Sequence, residues 1–330
     1  MEDMQERPRG RPLRFLDRYR LCIRRHGLAP KTEKVYVYWV KRYIRFHNLT
    51  HPEKLSETDV EEFLNDLKIS KNLSLSTQRL ALNSLVFLYS HFLEQPLVGL
   101  DIQFSSKPKK LPVVLSQFEI EAVLSKLPWV FRLACRIMYG AGLRISECVG
   151  LRVKDIDFYR NQILVRGGKG NKDRATLLPA ALIPDLHKQI ELCELYFLRE
   201  IEEGAGYVYL SNSEKHRDPG AERRFAFQYI FPSPVNHPDI QTGLMVQQHL
   251  STRSVHRQIK LAAKKAKIHK PVSAHAFRHT FATELLESGT DIRTIQKLLG
   301  HSSVATTEIY THVRNRAHSE VTSPLDNADI

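Results

Sequence analysis

The chain is poor in cysteine and lacks long apolar runs, and each shortage excludes a class of protein. Its 330 residues contain four cysteines, which are Cys22, Cys135, Cys148 and Cys193. No two of them form a Cys-x-x-Cys pair. This spacing predicts reduced, buried thiols rather than a disulfide framework. No run reaches the ~18 apolar residues of a membrane span. Residues 1–12 are polar and basic, so we expect a flexible N-terminus instead of a secretory signal, and a cytoplasmic protein.

Positive charge is in excess. The chain has 49 Lys and Arg against 36 Asp and Glu, a formal net charge of +13 and a pI near 9.6. Between residues 7 and 45, thirteen basic residues stand against two acidic ones. Because phosphate neutralisation dominates the affinity of proteins for DNA, this bias predicts a DNA-binding face. The alternative is a basic protein that is merely soluble.

Hydrophobic periodicity predicts a mainly α protein with two domains. Four helices are expected in a first domain, residues 13–101: Leu13–Arg25, Val35–Phe46, Glu57–Leu67 and Thr77–Leu93. Residues 102–112 contain prolines and lysines and predict an extended basic linker. The second domain, residues 113–330, begins with a capping box at Ser116 and Glu119. It is expected to be helical with one small β-hairpin sheet, from residues 162–166 and 175–178.

Six polar residues of the second domain suit the attack of a phenol on a phosphodiester. They are Arg144, Lys169, His275, Arg278, His301 and Tyr310. Guanidinium forks can grip the phosphate oxygens as charge develops. A phenol with a pKa of about 10 needs a base or cationic surroundings, which His275 and His301 could supply. Lys169, or Lys172 on the same Gly-rich turn, could protonate the departing sugar oxygen.

Several of these residues have a plainer interpretation. The Gly-rich turn could suggest nucleotide binding, but the P-loop spacing is absent. His275 and His279 stand four apart as in a zinc helix, without a Glu after the first His or a third ligand nearby. His301 could be a cation at a helix end, and Tyr310 an ordinary tyrosine on a short amphipathic helix. Their joint occurrence favours catalysis.

The chain resembles the tyrosine recombinases, also called the phage-integrase family, from about residue 13 to 320. The matching stretches are Ala141–Glu147, Gly168–Arg174, His275–His279, Leu299–His301 and Tyr310. The resemblance implies that Tyr310 forms a 3'-phosphotyrosyl bond and frees a 5'-hydroxyl. It implies assistance from Arg144, Lys169, His275, Arg278 and His301, with Glu147 supporting the arginine. It also implies that the first domain clamps the duplex and that neither metal nor nucleotide cofactor is used.

Residues 211–249 form an added segment that bears on the substrate. Within it, Glu222–Ser233 interleaves two arginines with four aromatics, a composition that suits displaced bases and equally suits a packed core. The segment resembles that of the integron integrases, which implies recombination of gene cassettes at folded single-stranded hairpin sites. His249 matches a histidine of that segment. The chain departs from the pattern around Phe225 and Tyr229, where many relatives carry tryptophans.

Further expectations concern partners. Cleavage of two strands at each of two sites implies a homo-tetramer on DNA, with the tail 314–330 docking on a neighbouring protomer. The expected DNA contacts are Arg18, Arg25, Lys31, Lys41, Arg42, Lys107, Lys109, Lys110, Arg223, Arg224, Phe225, Phe227 and His249. The alternative functions are a duplex-site recombinase of phage or chromosome-resolution type, a type IB topoisomerase and a non-catalytic DNA-binding protein.

Overall fold

The structure, a computed structural model, describes residues 14–102, 112–167, 173–239 and 242–311. The chain divides into two compact units, with the boundary between residues 109 and 110. Several predicted features lie outside the described residues: the N-terminal segment 1–12, Lys107, Lys109, Lys110, Lys169, Lys172 and the tail 314–330. In the described part of the chain, no helix is long and apolar enough to cross a membrane.

The first unit contains the four predicted helices, with some shifted ends. They are α1 (Phe15–Arg25), α2 (Pro30–Phe46), α3 (Glu57–Ile69) and α4 (Leu75–Phe87). Helix α2 starts earlier than predicted because Pro30 occupies its first turn, where a missing N–H costs nothing. The predicted helix to Leu93 is wrong at its end, since a π-helical turn, Leu88–Phe92, follows α4.

Aromatic side chains fill the core of this unit. Tyr19 and Ile23, one turn apart on α1, are fully buried. The Tyr43 and Tyr89 hydroxyls lie 2.9 Å apart, and Tyr89 also donates to the carbonyl of Pro52 at 3.0 Å. The π-helical turn thus brings a buried hydroxyl to a partner, as burial of a polar group requires.

The second unit contains eight helices and six short strands among its described residues. The helices are α5 (Gln117–Ser125), α6 (Trp129–Ala141), α7 (Ile145–Val149), α8 (Ile183–Glu202), α9 (Asn212–Arg217), α10 (Thr252–Lys265), α11 (Ala274–Glu287) and α12 (Ile292–Leu299). The strands are β1 (Ile156–Asp157), β2 (Gln162–Val165), β3 (Arg174–Leu177), β4 (Tyr207–Val208), β5 (His237–Pro238) and β6 (Met245–Gln247).

The predicted hairpin is present, with a strand that the sequence did not indicate. Strands β2 and β3 pair antiparallel, with Ile163 opposite Thr176, and β1 adds to the free edge of β2. A second sheet, in the order β4-β6-β5, was not predicted and lies in and beside the added segment. Its strands are two or three residues long, too short for a period-2 pattern to reveal.

Helices α6 and α11 form the centre of the second unit and position the site. The predicted capping box at Ser116 starts α5. Leu115 donates its backbone N–H to the Thr280 hydroxyl on α11 at 3.0 Å. Thr176 of β3 donates to the carbonyl of Ala141, the last residue of α6, at 2.9 Å. Arg278 of α11 in turn donates to the carbonyl of Gly142, directly after α6, so the end of α6 is bonded both to the hairpin and to α11.

Candidate active site

The structure gathers the described members of the predicted site at the ends of several elements. Arg144 is the N-cap of α7, His275 and Arg278 lie on α11, and His301 follows α12. Tyr310 ends a 3-10 turn, Glu308–Tyr310, where a short α-helix was predicted. The charges of Arg144 and Arg278 act on His275, His301 and Tyr310, so the five side chains share one electrostatic environment.

A buried carboxylate holds the arginines of the site together. Arg144 donates to Glu147 from its backbone N–H at 2.8 Å and from Nη1 at 2.7 Å. Arg174, which the sequence analysis did not single out, donates from both terminal nitrogens at 2.9 and 2.8 Å. Arg278 Nη1 lies 3.8 Å from the same carboxylate. Glu147 therefore interacts with all three arginines of the site.

The end of α12 supplies a second set of fixed partners. The last carbonyls of a helix lack intrahelical donors, and here three arginine side chains donate to them. The pairs are Arg174 Nε to Leu298 at 2.9 Å, Arg278 Nη2 to Leu299 at 2.6 Å and Arg144 Nη2 to Gly300 at 3.2 Å. Because a guanidinium is planar, one such contact together with the interaction with Glu147 fixes the orientation of each arginine before any substrate binds.

The charges of this network persist at neutral pH. Burial alone would raise the pKa of Glu147, but the hydrogen bonds from Arg174 and Arg144 and the charge of Arg174 outweigh it and lower that pKa to about 2. Burial, followed by the charge of Arg144, lowers the pKa of Arg278 to about 10. Arg278 is only 3 % exposed yet stays a cation. Such a preorganised positive site suits a phosphate group.

The two predicted histidines differ in their surroundings. His301 is partly buried, and its Nδ1 lies 3.0 Å from the Thr307 hydroxyl. Burial, then the charges of Arg278 and Arg144, lowers its pKa to about 4. His275 reaches solvent, and partial desolvation followed by the charge of Arg278 lowers its pKa. Both imidazoles are consequently neutral at physiological pH and able to accept a proton.

Tyr310 is buried, with 2 % of its surface exposed. Its hydroxyl oxygen lies 2.9 Å from Nδ1 of His279. Burial raises the pKa of the phenol, while the charges of Arg278 and Arg144 oppose the rise. The tyrosine therefore lies within the field of both arginines and keeps its proton until another group takes it.

In the part of the chain that the structure describes, the zinc alternative for His275 and His279 gains no third ligand. Their ring centroids are 6.2 Å apart, and His279 already contacts Tyr310. Among the described residues, the grouping with metal-like geometry is His47, Asp59 and Glu62 in the first unit. Asp59 there serves the capping box at the start of α3.

The sequence did not indicate a role for two residues of the site, Arg174 and His279, although both lie within the stretches that match the family. Arg174 closes the Gly168–Arg174 stretch, but its partner Glu147 is 27 residues away and only the folded chain brings them together. His279 is one helical turn beyond His275 and so shares its face of α11. That spacing is a usable signal of a shared face, although it is equally typical of a metal-binding helix.

The predicted DNA contacts of the first unit divide into two groups. Arg18, Arg25 and Lys31 are exposed. Lys41 and Arg42 are partly buried, and the Arg42 guanidinium lies 5.1 Å from the centre of the Trp39 ring. The exposed group keeps its charge available to a polyanion, although the Arg18 guanidinium, like that of Arg42, also lies over an aromatic ring, 5.7 Å from the centre of Phe92.

The aromatic residues of the added segment mostly pack. Phe231 is fully buried and Tyr229 is 6 % exposed, which confirms the packing alternative for these two. Phe225 and Phe227 are half-buried, and Lys154 Nζ lies 3.3 Å above the centre of the Phe227 ring. His249 is half-buried with Nδ1 2.9 Å from the carbonyl oxygen of Leu250. Less aromatic surface is open to bases than the composition suggested.

Arginines of the same segment remain at the surface. Arg223 and Arg224 are exposed, and Arg224 pairs with Asp218. A cavity of about 850 Å³ lies between this segment and the hairpin, and Glu147, Arg152, Tyr229 and His249 contribute to its lining. The segment therefore adjoins the arginine network of the candidate site.

Sequence comparisons cover almost the whole chain. Residues 114–316 match the model of the phage integrase family, and residues 15–98 match the phage integrase N-terminal SAM-like domain. An integrase/recombinase of Escherichia coli is 40 % identical over 97 % of this chain and 95 % of its own length. The tyrosine recombinase XerA of Thermococcus onnurineus is 31 % identical over 90 % of each chain.

Solved structures share the fold at lower identity. XerH site-specific recombinase, bound to its difH substrate, matches with a TM-score of 0.60 and 21 % identity, over 94 % of this chain and 84 % of that one. The Tn1549 transposon integrase in complex with transposon right end DNA also matches with a TM-score of 0.60. Its identity is 20 %, over 94 % of this chain and 96 % of that one. The chain belongs to the phage integrase family of tyrosine recombinases, site-specific enzymes that cut and rejoin DNA through a tyrosine nucleophile.

Proposed function

We propose that Tyr310 is the nucleophile and that the arginine network around Glu147 is its phosphate site. The observation that carries this assignment is the buried phenol within the field of Arg144 and Arg278. The phenol oxygen attacks phosphorus, the bond to the 5' oxygen breaks, and a 3'-phosphotyrosyl bond forms. Ligation reverses these steps with a new 5'-hydroxyl.

Arg144 and Arg278 stabilise the charge that develops on the non-bridging oxygens. Their partners Glu147 and Arg174 keep them oriented, so little reorganisation accompanies the reaction. A neutral histidine of the site takes the phenol proton, since lowered pKa values keep His275, His279 and His301 unprotonated before the anionic substrate arrives. Lys169, or alternatively Lys172, gives a proton to the leaving 5' oxygen.

This chemistry requires neither a metal nor a nucleotide cofactor. The phosphotyrosyl bond conserves the energy of the phosphodiester, so each ligation can follow cleavage without another energy source. Two cleavages at each of two sites call for four protomers, with the tail 314–330 docking on a neighbour. The enzyme works in the bacterial cytoplasm, associated with the nucleoid when it is on DNA.

The substrate assignment rests on the added segment. We place the integron-type reaction first: integration and excision of gene cassettes at folded single-stranded hairpin sites. The segment adjoins the arginine network across a polar cavity and presents the exposed cations Arg223 and Arg224 beside Phe225. Cations beside an aromatic ring suit the backbone and displaced bases of a folded strand.

A duplex-site recombinase is the second candidate, and the buried aromatics favour it. Tyr229 lies under the Arg152 guanidinium, 4.5 Å from ring centre, and Phe227 under Lys154. Rings covered in this way offer little face to a base. The segment would then support the fold and contact ordinary duplex.

Measurements of binding and covalent trapping on hairpin and duplex DNA distinguish the integron-type enzyme from the duplex-site recombinase. The informative variant is Arg223→Ala combined with Phe225→Ala, and Arg160→Ala, an exposed arginine outside the segment, is the matched control. The integron-type reaction predicts that the double variant loses adduct on hairpin DNA by on the order of tenfold while duplex binding changes little. Equal losses on both substrates would favour the duplex-site enzyme.

A further inference from the structure

The hydroxyl of Tyr310 has a single described partner, and it is neither of the histidines expected from the sequence. The Tyr310 oxygen lies 2.9 Å from Nδ1 of His279, with ring centroids 5.6 Å apart. No other residue in the described ranges hydrogen-bonds to this phenol. His275 lies one turn earlier on α11, and His301 Nδ1 is engaged by Thr307.

Burial fixes the direction of this hydrogen bond. A neutral imidazole carries its proton on one nitrogen only. If Nδ1 of His279 carried it, the phenol proton of Tyr310 would be buried without an acceptor, at the full desolvation cost of a polar group. We therefore infer that the proton is on Nε2, and that Nδ1 accepts from the phenol.

We propose that His279 is a further catalytic residue, the base that takes the proton of Tyr310 during cleavage. This rests on the proposed role of Tyr310 as nucleophile. As the phenol oxygen bonds to phosphorus, its proton moves to Nδ1, and the 5' oxygen leaves with a proton from the general acid. In ligation the phosphotyrosyl bond breaks and the phenol oxygen recovers its proton from His279. His275 and His301 remain free to contact the phosphate.

The charged and titratable neighbours of His279 suit a base that strengthens when DNA binds. On its own helix these are His275 and Arg278; from the adjoining elements they are Tyr310 and His301. Burial, then the charges of His275 and Arg278, lowers the pKa of His279 to about 4. A phosphodiester placed beside Arg278 offsets the charge of that arginine and shifts the His279 imidazole toward its protonated form.

The test combines two substitutions of His279 with a more acidic phenol. His279→Asn keeps a hydrogen-bond acceptor near the position of Nδ1 but cannot take a proton, and His279→Leu removes both properties. Each variant is prepared with tyrosine or with 2,3,5-trifluorotyrosine at position 310. Adduct formation is measured in a single turnover on a nicked suicide duplex, beside DNA affinity and thermal melting.

We expect both variants to slow cleavage on the order of 100-fold with unchanged DNA affinity, the usual contribution of a general base. The fluorinated phenol should restore most of the rate, because it ionises without help. The proposal is overturned if His279→Asn or His279→Leu cleaves at or above the wild-type rate, or if fluorination leaves the variants slow. An adduct that persists in Tyr310→Phe would instead overturn the nucleophile assignment itself.

Discussion

Arg174 places both terminal nitrogens on the two carboxylate oxygens of Glu147, and both side chains are buried, with 11 % and 8 % exposure. Removing Arg174 deprives the buried carboxylate of two hydrogen bonds and leaves it with Arg144 and the more distant Arg278. We expect Arg174→Ala to lower the free energy of unfolding by about 3 kcal/mol and to slow adduct formation. Arg160→Ala, at an exposed position, should change stability by less than about 0.5 kcal/mol. Urea unfolding checks both, and equal effects would contradict the role of Arg174.

Glu147 should make stability depend on acid pH. Its folded pKa of about 2 lies below the ~4.3 of an unfolded glutamate. The carboxylate therefore stabilises the fold fully above the unfolded pKa, and this contribution disappears as pH falls toward about 2. Its size is on the order of 3 kcal/mol.

The variant Glu147→Gln isolates this effect. It should be less stable at pH 7, and its stability should fall less steeply between pH 5 and about 2 than that of the wild type. Denaturant unfolding across this range measures the two slopes. Identical slopes would mean that another carboxylate governs the acid response.

Gly300 should tolerate no side chain. It has φ +63°, and an added Cβ would lie 2.8 Å from Cδ of Arg174. That side chain cannot easily withdraw, because Leu298 and Glu147 hold its nitrogens. Gly289→Ala is the matched control, since Gly289 also has positive φ, +88°, with open space around it.

Both alanine variants should lose about 1–2 kcal/mol from the left-handed backbone. Only Gly300→Ala should lose more, and it alone should slow cleavage. Melting curves and single-turnover cleavage give the comparison. Equal behaviour of the two variants would show that the contact with Arg174 is unimportant.

Alanine substitutions in the added segment should distinguish residues that pack in the core from residues that bind DNA. The two variants are Phe231→Ala and Phe225→Ala. Phe231 is fully buried in the main core of the second unit, so Phe231→Ala should cost about 3–5 kcal/mol of stability. Phe225 is half-buried, and Phe225→Ala should cost clearly less while affecting binding of folded strands. A Phe225 variant as unstable as the Phe231 variant would assign both rings to the core.

Local patterns in the sequence predicted much of the fold. The four helices of the first unit, the capping box at Ser116 and the hairpin each depend on residues a few positions apart, and all are present. The π-helical turn and the sheet β4-β6-β5 were missed. In the π-helical turn, Tyr89 is positioned by contacts with Tyr43 and Pro52, which are 46 and 37 residues away in sequence and so leave no local pattern. In the sheet β4-β6-β5, the strands are too short to show an alternation of polar and apolar residues.

The site shows the same division. Residue chemistry indicated Arg144, His275, Arg278, His301 and Tyr310, and the structure brings them together. Which imidazole meets the phenol could not be deduced, since His279 and Tyr310 are 31 residues apart and meet through the packing of a 3-10 turn on α11. Composition likewise overstated the open aromatic surface of the added segment, because burial depends on tertiary contacts.

The most direct test of the account is covalent trapping on a nicked suicide substrate. Wild-type protein should form an adduct in which the DNA 3'-phosphate is attached to Tyr310, identified by peptide mapping. Tyr310→Phe should form none while binding the same DNA with nearly unchanged affinity, and Tyr159→Phe, at a fully exposed tyrosine, should behave as wild type. An adduct that persists in Tyr310→Phe, or one that maps to another residue, would contradict the account.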